Sequence, residues 1–127
     1  MTIPSGSGTE ILQRGWFADL SDTVIYAKFD GTISTTSSSN AVPTNNIITV
    51  LNINLTNMSS TLTSEVNIIV DYAGSTTIYL LKHSLPPQET FIYSEKLVLH
   101  PTDKLYFHTE GAAWIDVSFN YIRQNWV

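Results

Sequence analysis

Three imidazoles, His83, His100 and His108, are the first residues to weigh, because histidine serves as general base or metal ligand near neutral pH. No two of them stand at i, i+2 or i, i+4, the spacings that place two ligands on one face of a strand or helix. Each has an ordinary setting instead: His100 adjoins Pro101 in a turn signal, and His108 alternates with Phe107 as an outward strand position does. The carboxylates are equally dispersed. Glycoside hydrolysis needs two of them facing each other across about 5 to 9 Å, and only the fold could bring Glu89, Glu95, Asp103 and Glu110 together. Serine is abundant, but no Gly-x-Ser-x-Gly elbow accompanies it. Gly6-Ser7-Gly8 lacks the strand, the third glycine or Gly-Lys-Ser/Thr, and the helix that a phosphate loop requires. With no cysteine, thiolate nucleophiles, disulfides and Cys-held zinc are removed together. The expectation is a protein that is not an enzyme and holds no metal or cofactor.

Aromatic residues offer a different chemistry. Trp16, Trp114 and Trp126 can stack on sugars or anchor a protein interface. Trp114 precedes the alternating run that starts at Ile115 and points opposite to Ile115 and Val117, so it is expected to be partly exposed.

The whole composition sets the frame for these residues. The 127 residues fit one domain with a core of its own. Only 13% are charged, whereas Ser, Thr and Asn supply 39, so the surface is expected to be neutral and polar. Six Lys and Arg stand singly against a net charge of −5, which argues against nucleic-acid binding. No apolar run is long enough to span a bilayer, and no leader pattern opens the chain, so neither a membrane partner nor processing is expected. Two sequons, at Asn54 and Asn57, are expected by chance in a chain this rich in Asn, Ser and Thr.

Period-two alternation dominates after residue 22. In residues 47–55, Ile47, Leu51, Ile53 and Leu55 read as one face and Asn52 and Asn54 as the other. Val66, Ile68, Val70 and Tyr72 alternate with Asn67 and Asp71, and Ile115, Val117, Phe119 and Tyr121 alternate with Asp116, Ser118 and Asn120. Further strands are expected over 23–29, 77–82, 91–93, 96–99 and 105–109, with Gly, Pro, Asn and Asp clusters between them. Residues 97–107, turning at Pro101, read as a hairpin. The result is an all-β, antiparallel β-sandwich of about eight strands, jelly-roll-like, over residues 18–127. Residues 34–46 begin with six consecutive Ser or Thr and read as an exposed loop. Residues 1–17 read as an extended N-terminal arm whose apolar anchors Ile3, Pro4, Ile11, Leu12, Trp16 and Phe17, together with Trp126 near the other end, form an interface.

Four stretches, IPSGSGTEILQRG, NNIITVLNINLTN, EKLVLHPTDKLYF and AAWIDVSFNYIRQNW, together resemble small all-β virion structural proteins of tailed phages. The resemblance spans most of the chain and rests on strand, turn and arm signals. It implies a capsid cement or decoration protein on the exterior of the capsid, assembled in the host cytoplasm. It also implies that the chain pairs with itself as a homo-oligomer, expected to be a trimer, and with the major capsid protein, clamping neighbouring capsomers. The alternatives are a tail- or fibre-associated protein, or a carbohydrate-binding module that contacts the host surface through its tip loops and exposed tryptophans.

Overall fold

The computed structural model describes residues 9–29, 40–73 and 75–125. Among them are nine strands and no helix: β1 (Thr9–Leu20), β2 (Thr23–Tyr26), β3 (Asn46–Asn57), β4 (Ser64–Tyr72), β5 (Thr76–Leu85), β6 (Thr90–Tyr93), β7 (Leu97–Leu99), β8 (Lys104–Glu110) and β9 (Ile115–Asn125). One sheet runs β1-β9-β3, with β6 and β7 sharing the far side of β3, and the other runs β2-β8-β4-β5. Every ladder is antiparallel. If β6 and β7 are counted as one interrupted strand, the first strand pairs with the last, the second with the next to last, and so inward to β4 with β5. That is a long hairpin wrapped around a sandwich, the jelly roll that the alternating runs predict.

The two inner faces meet in an aromatic-rich core. Phe17 of the β1 sheet meets Phe107 of the other sheet edge-on at 5.5 Å, and Phe119 lies 5.9 Å from Phe107. Phe29 packs edge-on against Tyr121 at 5.1 Å. Such pairs add to the area they bury, so they fix how the sheets face each other as well as holding them together. Of the inward residues expected from alternation, Val66, Ile68, Val70, Leu97, Leu99, Leu105, Phe107, Ile115, Val117 and Phe119 all lie in this core.

Four expectations are corrected. Residues 9–17 are not an arm: β1 pairs with β9 from Thr9↔Asn125 to Phe17↔Val117, so the sandwich includes these residues and does not begin at residue 18. Within β3 the register shifts between Val50 and Asn52, which inverts the alternation. Ile48 and Val50 therefore join Ile53 and Leu55 in the core, Leu51 is only half-buried, and Ile47 is buried outside that cluster. Residues 97–107 are not a hairpin, because β7 pairs with β3 and β8 with β2 and β4. The turn there, with Thr102 at φ 75°, carries the chain from one sheet to the other. Finally, residues 34–39 lie outside the described residues, but the rest of that segment is not all exposed. Val42 is buried, its N–H donates to the Asp103 carbonyl at 2.9 Å, and its own carbonyl accepts from the Thr102 N–H at 3.1 Å.

Candidate functional site

β1 sorts the expected anchors by parity. Gln13, Gly15 and Phe17 point inward, and Phe17, only 4% exposed, is a core residue and no interface anchor. Leu12, Arg14 and Trp16 alternate with them onto the outer face, where Leu12 is 69% and Trp16 42% exposed. Ile11 is exposed as well, but with the inward parity, at the open end of the strand. Ile3, Pro4 and Trp126 lie outside the described residues.

Around Trp16 the outer face is an amide and hydroxyl surface. Asn120 donates to Asn52 Oδ1 at 2.9 Å, Asn54 donates to Ser118 Oγ at 3.5 Å, and the Thr56 and Thr90 hydroxyls share a bond of 2.9 Å. Two shallow grooves flank the indole. One of about 380 Å³ is lined by Arg14, Ser118 and Asn120, and one of about 250 Å³ by Asn54, Thr56 and Asp116. The Arg14 guanidinium stands 5.9 Å from the Trp16 ring centroid, a cation–π distance.

A second surface closes one end of the sandwich. Met58, Leu62 and Trp114 are all exposed there, Trp114 by 59%, and together with Ser59, Ser60 and Ala112 they line a depression of about 370 Å³. This apolar tip is built on Asn57, which is itself buried. Its Nδ2 donates to the carbonyls of Leu62 at 2.8 Å and Leu85 at 3.0 Å, and its Oδ1 accepts from the Ser59 N–H at 2.9 Å. Ser59 Oγ then accepts from the Leu62 N–H at 2.9 Å, and the Met58 N–H donates to the Trp114 carbonyl at 2.8 Å. The loop is thus pinned at both ends, so its apolar side chains are presented and not merely loose.

The residues expected to lack chemistry are engaged in structure. Asp103 accepts from the backbone N–H groups of Ala73 and His100, both at 2.8 Å, and so ties two turns together. His108 Nε2 lies 3.8 Å from Glu110 Oε1, and the His83 ring lies 4.7 Å from that of Phe91. Among the described residues, no three of His, Cys, Asp and Glu are grouped as a metal site would need. On the outer face of the second sheet Tyr26 stacks on Tyr106 at 4.6 Å, and the Tyr106 hydroxyl donates to Asp71 Oδ1 at 3.3 Å. Burial, helped by the Asp71 charge, pushes that hydroxyl up to about 12, so it stays a protonated donor at neutral pH.

No protein family matches the chain, and no curated protein sequence does. Among solved structures the chain is similar to a protein from the disulfide-linked pili of Bacillus endospore appendages, with a TM-score of 0.53 and 13% identity. That likeness covers 100% of this chain and 97% of the other. The chain is also similar to a protein of the T13 particle of IBDV, with a TM-score of 0.51 and 10% identity over 93% of this chain. It corresponds to 31% of that viral protein. At such identities the likeness is one of fold: a jelly-roll sandwich of a kind present in a pilus and in a virus particle.

Proposed function

We propose that the protein is a non-enzymatic structural subunit of a phage virion, and within it a capsid cement protein on the outside of the head. The observation that carries this reading is the exposed Met58, Leu62 and Trp114 cluster, held on a hydrogen-bonded scaffold. Exposed apolar side chains cost solubility unless a partner covers them, and a rigid mount lowers the entropy lost on docking. The partners are further copies of the chain and the major capsid protein. Placement on the head is supported by the sequence resemblance to phage virion proteins, and an assembly role is in keeping with the fold. Quantitative mass spectrometry of purified particles, separated into heads and tails, tests it. Hundreds of copies per head are expected, and absence of the protein from the particle overturns the reading.

A second reading is favoured by one specific feature, the amide and hydroxyl face around Trp16, edged by Arg14 and Asp116. An aromatic plate between grooves that offer amide, hydroxyl, guanidinium and carboxylate groups suits a sugar ring, and a few copies on the tail with glycan binding lost in Trp16→Ala would mark this as the role.

A further inference from the structure

The apolar tip and the start of β1 lie at opposite ends of the same sheet. At one end Thr9 stands opposite Asn125, which stands opposite Asn46. At the other end Ile115 stands opposite both Leu20 and Asn57, and the tip residues Met58 and Trp114 directly follow Asn57 and precede Ile115. The length of β1 between these ends is about 36 Å at roughly 3.3 Å per residue. Ile3 and Pro4 precede Thr9 in the sequence, separated from it by Ser5-Gly6-Ser7-Gly8. Six residues reach at most about 20 Å. The chain's own tip is therefore out of range of Ile3, whereas the tip of a second copy set end to end against Thr9 is within it.

From this polarity we infer that copies of the chain join head to tail, with Ile3 and Pro4 of one copy filling the Met58, Leu62 and Trp114 depression of the next. The chemistry matches on both sides. Ile3 and Pro4 bring apolar area and no charge, Trp114 offers a flat ring for the pyrrolidine, and Met58 adapts its shape to the isoleucine. The depression of about 370 Å³ accommodates two such side chains. Because arm and depression are different surfaces, the contact is heterologous: repeated at a fixed rotation it closes into a ring, such as the proposed trimer, or runs on as a filament. The inference rests on the assembly role proposed above, but it concerns contacts of the chain with itself and not with the capsid.

Sedimentation velocity of the purified full chain tests it. The unsubstituted chain is expected to associate with rising concentration. Either Ile3→Ser with Pro4→Ser, or Trp114→Ala alone, weakens that association about tenfold or more, with the circular dichroism spectrum unchanged. The two variants mixed in equal amounts are expected to form a heterodimer that grows no further, since one still owns the depression and the other the arm. A chain that stays monomeric, variants that assemble like the parent, or a mixture that forms no heterodimer each overturn the inference. The absence of native cysteine allows a second measurement. Ile3→Cys on one chain and Leu62→Cys on another are expected to cross-link on oxidation, and failure to do so while the chains associate overturns the contact. Neither measurement involves phage particles, so a self-associating chain missing from heads refutes the cement role alone, and a monomeric chain found on heads refutes this contact alone.

Discussion

Gly15 of β1 lies directly opposite Phe119 of β9, and a Cβ on Gly15 would stand 2.8 Å from both Cε1 and Cε2 of the phenylalanine ring. The ring occupies the space a side chain would take. Gly15→Ala is therefore expected to push Phe119 into a core already packed against Phe17, Phe29 and Tyr121, at a cost of about 1–3 kcal/mol. Thermal denaturation checks this. Phe119→Leu in the same chain is expected to lessen the penalty of the alanine, and additive losses would show that the two sites do not share the space.

Truncation separates residues 1–8 from the strand. Removing residues 1–8 is expected to leave the melting temperature of the sandwich unchanged, because all of β1 and the core cluster of the described residues are retained. Removing residues 1–17 takes Gly15 and Phe17 and strips β9 of its β1 partner, so a chain without cooperative unfolding is expected. Circular dichroism melts of the two truncations distinguish these outcomes.

Asn57 sets the shape of the apolar tip. Asn57→Leu keeps the side-chain size but leaves the Leu62 and Leu85 carbonyls and the Ser59 N–H without their partner. The loss expected is roughly 2–4 kcal/mol in denaturant unfolding. Limited proteolysis is expected to cut between residues 58 and 63 faster in this variant than in the parent.

The Tyr106 hydroxyl gives stability a dependence on high pH. Its folded pKa of about 12 lies above the ordinary tyrosine value of 10.0, so the folded state holds the proton where the unfolded state has released it. The contribution is fully present below pH 10 and is lost as pH rises from 10 towards 12. Burial also raises Tyr26, which adds to the same slope. Melting temperatures are expected to fall across that window, and to fall less steeply in Tyr106→Phe. An ultraviolet titration with every phenol ionised by pH 10.5 would contradict the shift.

How far the sequence could be read depended on whether a face was written in side chains. In β4, β8 and β9 the central inward positions hold Val, Ile, Leu, Phe and Tyr, with the polar Ser64 and Thr109 only at strand ends, and those strands follow directly from alternation. In β1 one inward position is Gly15, where the occupying side chain comes from Phe119, so the pattern reads as broken and the strand as an arm. In β3 the extra residue near Leu51 swaps the faces midway, and apolar residues stand on both sides of the shift, so composition does not reveal it. The residues 97–107 mimic a hairpin because a Pro-led turn looks the same whether it joins neighbours in one sheet or crosses between two. Of the residues read as anchors, Leu12 and Trp16 are exposed on the outer face. The tip was only half legible: Trp114 was marked by its parity, but Met58 and Leu62 depend on the bonds Asn57 makes to distant carbonyls, which no local signal announces.

β9, the last strand, lies between β1 and β3, which do not pair with each other. On a ribosome, β1 therefore emerges with its described partner still unmade, while β3 can pair with β6 and β7 on one side but must wait for β9 on the other. Phe17 of β1 and Ile48, Val50, Ile53 and Leu55 of β3 belong to the core and lie on the two strands that β9 joins. The pairing of β9 is thus the step that commits this sheet, and a stalled or clipped product lacking β9 is a substrate for chaperones and proteases rather than a smaller stable domain.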